Sequence, residues 1–194
     1  CQMQYFITYG LGHQSISGKK AQLGTIVHKV MECLASCKKE LQDTGKKTGL
    51  SITDDALGEI KFTTKKLYTK KFVKDLLDSS YQYYTENCTH NYTGADLKFC
   101  AKSVDDALSY NDGQFDPRNR NVVASEPQFD ILIDEDWAKY KYKMPNGEVV
   151  EGQLAIKGTI DLVTEVDNGV IEVIDWKTGR RLNWATGEEK TYEK

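Results

Sequence analysis

The stretch Gly158–Gly179, GTIDLVTEVDNGVIEVIDWKTG, contains two runs of β-forming residues separated by a short polar turn. The runs are Thr159–Val166 and Val170–Trp176, and Asp167-Asn168-Gly169 lies between them. A polar turn that contains glycine, placed between such runs, is typical of a β-hairpin. If these three residues form the loop, the residues that flank it pair with each other, and the register of the whole hairpin follows.

In that register Asp161 faces Asp175, and Lys177 points to the same side as Asp175 because side chains alternate along a strand. Facing carboxylates repel each other, and the apolar neighbours indicate a core strand pair. Buried like charges need a partner, and a divalent cation is the natural one. A solvated pair of aspartates, with Lys177 in a simple salt bridge, is the alternative. A two-residue Asn-Gly loop would instead place the two aspartates on opposite faces.

Three separated motifs resemble those of one nuclease superfamily. Gly158-x-x-Asp161, followed by Asp175-Trp176-Lys177-Thr178-Gly179, resembles the nuclease core of the PD-(D/E)XK superfamily. The DxKTG ending is similar to the RecB-type branch in particular. That branch carries G-x-x-x-H on an upstream helix, and Gly24-Thr25-Ile26-Val27-His28 matches it. The three matches occur in the family's order, which makes the resemblance specific.

The resemblance implies an α/β fold with a central mixed β-sheet flanked by helices, as in restriction endonucleases. We expect residues 1–194 to form a single nuclease domain, truncated at both ends, with a helical insertion at about residues 50–120. The family's Gln-x-x-x-Tyr motif, which follows the core, does not occur in this chain.

The chemistry of phosphodiester hydrolysis suggests roles for the motif residues. Asp161 and Asp175 are candidate carboxylate ligands and His28 a candidate nitrogen ligand of Mg²⁺ or Mn²⁺. The resemblance adds the backbone carbonyl of Trp176 as a ligand, and it assigns Lys177 to the positioning of the attacking water. A partly buried structural histidine is the alternative for His28.

Glu126 precedes the hairpin by one strand, where the family often carries an acidic residue near the metal. An edge charge is the simpler interpretation of this glutamate.

Residues at the two ends of the chain suggest further contacts. Arg180, Arg181 and Trp184 are basic and aromatic, a combination that suits a single-stranded or frayed DNA end. Cys1 stands where iron–sulfur members of the branch carry their first cluster cysteine. A cluster needs four protein ligands, and no trio with suitable spacing is present, so we expect no cluster within this fragment.

The remaining chain is predicted from its periodicity. Apolar residues at helical spacing from Leu23 to Leu41 predict a helix that ends near Gly45, and similar patterns predict helices over 65–86 and 95–110. The polar stretch Lys46–Lys61 is predicted to be a loop or short excursion. Strands are predicted from Val122 onward, and Tyr140–Met144 and Glu148–Ile156 form a second hairpin around Pro145-Asn146-Gly147.

Composition narrows the class of protein. The formal net charge of −3 does not indicate nucleic-acid binding, although a local basic groove would suffice. No apolar run is long enough for a membrane span. The odd number of cysteines, five, favours a reducing cytoplasmic setting, or a host cell's interior if the protein is viral.

These observations predict a metal-dependent DNA nuclease, an exonuclease of recombination, repair or phage DNA processing. Its candidate partners are DNA with a free or single-stranded end and a helicase or recombination protein. The alternative is a catalytically inactive nuclease-like domain that binds DNA ends or scaffolds a helicase–nuclease complex.

Overall fold

One long helix, α1 (Lys19–Thr44), forms the centre of a computed structural model in which residues 3, 6–13, 18–86 and 88–179 are described. Its apolar residues recur every three or four positions, so they form one continuous stripe along the helix. The helix ends at Gly45, whose φ of 63° is accessible to glycine and whose N–H donates to the Leu41 carbonyl. The predicted helix is confirmed. Its stripe is buried at Leu23, Ile26, Val27, Val30, Met31 and Leu34.

Three further α-helices and nine strands are described. The helices are α2 (Thr64–Leu67), α3 (Lys70–Glu86) and α4 (Gly94–Gly113). The strands are β1 (Leu50–Asp54), β2 (Gly58–Phe62), β3 (Asn121–Ser125), β4 (Gln128–Leu132), β5 (Lys139–Lys143), β6 (Val149–Gln153), β7 (Ala155–Thr159), β8 (Leu162–Val166) and β9 (Val170–Ile174). None of the described helices is long and apolar enough to cross a lipid bilayer.

The two predicted helices after α1 are confirmed as α3 and α4, which pack against α1. α3 buries Phe72, Val73 and Leu76 on one face. α4 begins with a capping box, in which the Thr93 N–H donates to the Asp96 carboxylate over 2.7 Å. Both helices therefore enclose the apolar stripe of α1.

The prediction of a loop over Lys46–Lys61 is wrong, because β1 and β2 form an antiparallel hairpin there. Leu50, Ile60 and Phe62 are buried in the core, so packing against the helices stabilises two strands in a polar segment. The predicted insertion over residues 50–120 thus begins with a β-hairpin, and its helices follow.

The hairpin β8–β9 has the predicted register. Val166 pairs with Val170 and Leu162 pairs with Ile174, around a loop in which Gly169 has a φ of 77°. Leu162 and Ile174 are buried, so one face of the hairpin belongs to the core. The second predicted hairpin is confirmed as β5–β6.

Two of the predicted strands are each divided in the structure. The chain leaves strand geometry at Ile160 and Asp161, so β7 pairs with β4 and β8 pairs with β3. A second break at Leu154 separates β6 from β7, and its N–H donates to the Ala138 carbonyl over 2.9 Å. These breaks let one stretch of chain contribute to three different sheets.

The α/β class is confirmed, with antiparallel sheets flanked by helices. The main sheet has the order β3-β8-β9, and β1-β2, β4-β7 and β5-β6 are two-stranded. Every pairing among the described strands is antiparallel, so this part of the chain does not form the expected mixed sheet. A parallel neighbour needs a long crossover connection, whereas these strands pair as hairpins and nested ribbons.

Polar contacts fix β3 against α1. The Gln42 side chain accepts from the Val122 N–H over 3.0 Å and donates to the Val122 carbonyl over 3.2 Å. Farther along, the Ser125 hydroxyl donates to the Glu32 carbonyl over 3.4 Å. The carboxyl end of β3 therefore lies beside the middle of α1.

Candidate metal centre

The centre is built at a kink in the ribbon that β3–β4 forms with β7–β8. Ser125 pairs with Leu162 before the kink and Gln128 pairs with Thr159 after it, so the register places Glu126 opposite Asp161. The Glu126 N–H donates to the Asp161 carbonyl over 3.1 Å, which continues the ladder. Two carboxylates thus face each other across the ribbon.

Glu126 has a φ of 50°, in the left-handed region that a residue other than glycine rarely adopts. Proline follows it, and its carbonyl accepts from the Ile160 N–H over 3.1 Å. Strained backbone of this kind costs on the order of 1–3 kcal/mol and clusters at functional sites. The strain turns the end of β3 and directs the Glu126 side chain toward the same cavity as Asp161.

His28 reaches the pair from α1. Its Nδ1 atom lies 3.5 Å from Oδ1 of Asp161, and the two side chains are 28 % and 13 % exposed. The other carboxylate oxygen, Oδ2, accepts from the Trp176 N–H over 2.7 Å, which fixes the orientation of Asp161. Ligand atoms of His28, Glu126 and Asp161 all lie within 4.8 Å of one another. We call these three residues the triad.

The electrostatics of the triad favour an added cation. Partial burial raises the pKa of Glu126, and repulsion from Glu32 and Asp161 raises it further. Attraction to His28 and Lys29 opposes these effects without cancelling them, so the net pKa of Glu126 lies above its usual range. A carboxylate held in this state gains most from a positive charge placed between it and Asp161.

A second group of charges lies next to the triad. The Lys29 ammonium is 2.5 Å from a Glu32 oxygen and 3.1 Å from an Asp54 oxygen, and its side chain is only 14 % exposed. Burial lowers the pKa of Lys29, but the hydrogen bonds to the two carboxylates raise it more, so the lysine stays charged. Asp54 also accepts from the Leu57 N–H over 2.8 Å. This cluster ties the β1–β2 hairpin to α1.

Sequence reasoning missed Lys29, Glu32 and Asp54. Glu32 lies one helical turn after His28 on the same face of α1, a spacing that could have suggested it. Asp54 carried no such signal, because its segment was not predicted to form strands.

The triad opens into a cavity of about 500 Å³ between α1 and the ribbon. Gly24 lies in its wall, and a Cβ atom there would be 3.0 Å from the Thr178 hydroxyl oxygen. The glycine of the first motif therefore lets the threonine of the last motif approach α1. The cavity is lined by Ala21, Gly24, Thr25, His28, Lys29, Glu32, Tyr84, Glu126, Asp161 and Thr178.

Asp175 and Lys177 do not line the triad cavity. Alternation along β9 and its extension buries Ile174 and Trp176, so Asp175 and Lys177 lie on the other face. Their side chains are 53 % and 62 % exposed and form a 2.7 Å ion pair with each other. In the described part of the chain the potential ligand group comprises the triad alone, and Asp175 is not among its members.

The other predicted site residues divide into two groups. The Trp176 N–H contacts Asp161, as described above, whereas the prediction concerned its carbonyl as a metal ligand. Cys1, Arg180, Arg181 and Trp184 lie outside the described residues.

The triad suits a divalent metal ion. One imidazole nitrogen and two carboxylates form a donor set typical of Mn²⁺ or Mg²⁺ sites, with the nitrogen shifting the preference somewhat toward Mn²⁺. Burial and the neighbouring carboxylates raise the pKa of Glu126, and a bound cation would oppose that rise.

Comparison with known families assigns the chain to one superfamily. The sequence model of the PD-(D/E)XK nuclease superfamily matches residues 1–193, and the chain belongs to this superfamily. Divalent metal ions and nucleic-acid substrates are typical of the superfamily. No curated protein and no solved structure matched the chain.

Proposed function

We propose that this chain is a metal-dependent DNA nuclease of the RecB-type branch that hydrolyses phosphodiester bonds. We further propose that it is an exonuclease acting in recombination, repair or phage DNA processing. The observation that carries the proposal is the triad, in which an imidazole and two facing carboxylates converge within 4.8 Å. The family match supplies the reaction class.

The protein's part in this chemistry is to hold the ligands in place. The Trp176 N–H occupies one oxygen of Asp161 and leaves Oδ1 directed toward His28. The kink at Glu126 brings the second carboxylate to the same cavity. A divalent cation held by the triad would supply an activated water and neutralise charge on the scissile phosphate.

Asp175 and Lys177 have their proposed roles from the motif. We assign Asp175 as a further carboxylate ligand, weaker than those of the triad because it is exposed and paired with Lys177. We assign Lys177 as the group that orients the attacking water and stabilises developing negative charge. The pair lies beside Thr178, which lines both the triad cavity and a second cavity that contains Asp175 and Lys177. This position supports a role next to the triad.

The second candidate function is a nuclease-like domain that binds DNA ends without cleaving them. One observation favours it: Asp175 and Lys177 neutralise each other outside the ligand group. In such a domain the two motif residues would contribute only a surface ion pair.

Degradation of linear DNA in the presence of Mn²⁺ distinguishes the two functions. We expect the wild-type protein to degrade the DNA and both Asp161→Ala and Lys177→Ala to lose most of this activity. Asp130→Ala is a matched control, because Asp130 is paired with Lys157 on the β4–β7 ribbon, outside the described triad cavity. Binding of DNA ends without cleavage by the wild type would support the inactive domain. Equal cleavage by wild type and Lys177→Ala would remove Lys177 from the mechanism.

A further inference from the structure

A second cavity, of about 980 Å³, lies between α4 and β9. Several large apolar side chains in its wall are open to solvent: Phe99 is 44 % exposed, Tyr110 53 % and Val173 59 %. Cavities of this size, with aromatic walls and a few polar groups, are typical of ligand sites. We call this cavity the aromatic groove.

One face of α4 supplies the helical wall of the groove. Phe99, Ser103, Asp106 and Tyr110 follow one another at intervals of three or four residues, so they lie on the same side of the helix. Phe99 and Tyr110 are separated by roughly 16 Å along the helix at its usual rise per residue. This distance corresponds to several nucleotides of one strand, at about 3.4 Å each when stacked.

The end of α4 is shaped to present Tyr110. The helix breaks at Tyr110, and the next two residues, Asn111 and Asp112, have φ values of 49° and 56°. Left-handed backbone costs about 1–2 kcal/mol per residue, somewhat less for Asn and Asp. The break places the Tyr110 ring 5.8 Å from that of Phe115, with a tilt of 36°. The two rings form an aromatic platform at one end of the groove.

The charges of the groove are paired within it. Lys102 is 2.5 Å from Asp106, and Lys177 is 2.7 Å from Asp175. A groove with balanced charge has little net attraction for a phosphate backbone, whereas its exposed rings can stack on any base. The chemistry therefore favours nucleobases as occupants, with the backbone outside.

The groove is adjacent to the candidate metal centre. Thr178 lines both cavities, and Asp175 and Lys177 lie in the groove next to it. A strand whose bases lie in the groove would pass Thr178 on its way to the triad. In a duplex the base faces are stacked on one another, so only unpaired bases can stack on the aromatic side chains of the groove.

We propose that the aromatic groove binds the unpaired bases of a single-stranded DNA end by stacking on Phe99 and on the platform of Tyr110 and Phe115. This inference rests on the proposed nuclease function and assigns its substrate class. The groove holds the strand beside Thr178, so the strand passes this residue on its way to the triad.

The test measures DNA binding without cleavage, so it does not depend on activity. A short oligothymidylate labelled with a fluorophore is titrated with the whole chain in EDTA, and anisotropy gives the Kd. The double variant Phe99→Ala/Tyr110→Ala should raise the Kd by at least about fivefold, since each stacked base contributes about 1–3 kcal/mol. Both side chains are substantially exposed, so the variant should keep the wild-type circular dichroism spectrum and thermal midpoint.

Two controls make the test specific. Trp137→Ala removes an aromatic side chain that is 70 % exposed and does not line the groove, and it should leave the Kd unchanged. Phe99→Trp/Tyr110→Phe keeps both rings and should restore binding to near the wild-type Kd. A strand carrying 2-aminopurine should be quenched by wild type and not by Phe99→Ala/Tyr110→Ala.

The outcomes are separable from those of the nuclease assay. An unchanged Kd in Phe99→Ala/Tyr110→Ala, as expected if the groove binds a peptide instead, would overturn the inference and leave the proposed nuclease intact. An equal loss of affinity for blunt duplex and single strand would also overturn it. If the chain binds unpaired bases by stacking but shows no Mn²⁺-dependent cleavage, the proposal for the groove holds and the proposed nuclease function is wrong.

Discussion

Asp161 of the triad and the Asp175–Lys177 pair come from neighbouring motifs but lie in different environments. Asp161 is 13 % exposed and faces a second carboxylate, whereas Asp175 is 53 % exposed and is neutralised by a lysine two residues away. Glu126 has no ion pair among the residues that the structure describes. The partly buried carboxylates that face each other are therefore the ones that gain most from a cation, and adjacency in a motif does not decide which carboxylates these are.

The largest expected effect separates the two aspartates directly. Asp161→Asn should weaken Mn²⁺ binding by about a hundredfold, because it removes an oriented ligand, whose loss should cost at least as much as that of an outer-shell partner. Asp175→Asn should change the affinity by less than about tenfold, the low end of outer-shell effects. Isothermal titration calorimetry with Mn²⁺ measures both. Equal losses in the two variants would show that Asp175 holds the ion as strongly as Asp161 and would remove the contrast.

The second prediction compares a buried lysine with an exposed one. Lys29→Met should destabilise the protein by about 2–3 kcal/mol, because it leaves Glu32 and Asp54 without their shared cation. Lys177→Met removes one partner of an exposed pair and should cost less than about 1 kcal/mol. Urea unfolding, followed by circular dichroism, gives both free energies. A similar cost for the two lysines would contradict the assignment of the Lys29 cluster as a structural tie.

The smallest effect concerns the pH dependence of Glu126. Its pKa is raised in the folded state, so the folded protein holds this proton more readily than the unfolded chain. Ionisation of Glu126 therefore lowers the free energy of unfolding. This loss is absent below the unfolded pKa of glutamate, grows as the pH rises and is complete above the folded pKa. Glu126→Gln should therefore stabilise the metal-free protein at neutral pH, by less than about 1 kcal/mol after screening, and not at acidic pH.

Urea unfolding in EDTA, at neutral and at acidic pH, measures the effect of Glu126→Gln on the free energy of unfolding. Glu151→Gln is the matched control, because Glu151 is 64 % exposed and paired with Lys141 on the β5–β6 ribbon. A stabilisation that persisted unchanged into the acidic range would show that repulsion at the triad is not its cause. Excess Mn²⁺ should reverse the sign, since the variant loses a ligand.

Local features of the fold were predictable. The register of β8–β9 follows from a loop of three residues and from alternation, both of which act over a few positions. The helix α1 follows from its apolar period and from Gly45. The hairpin β1–β2 was not predictable, because its core residues are few and their partners are helices far along the chain.

The carboxylate that faces Asp161 was predicted incompletely, because it also comes from a distant part of the chain. Hairpin register alone favours Asp175 as the partner of Asp161. The chain leaves strand geometry at Ile160 and Asp161, and Glu126 lies opposite Asp161 on the β3 side of the ribbon. Glu126 was noted from the sequence only as an acidic residue one strand earlier. Its strained backbone, which sets the position of the side chain, leaves no mark in composition or periodicity.

The sequence by itself determined the class of fold, the nuclease superfamily, the helix that carries His28 and the register of one hairpin. These depend on motifs and on contacts between near neighbours in the chain. Only the tertiary structure decided that Glu126 joins His28 and Asp161, and that Asp175 and Lys177 face a separate aromatic groove. Those arrangements depend on a kink between distant strands, because burial and long-range pairing select the face on which each charge lies.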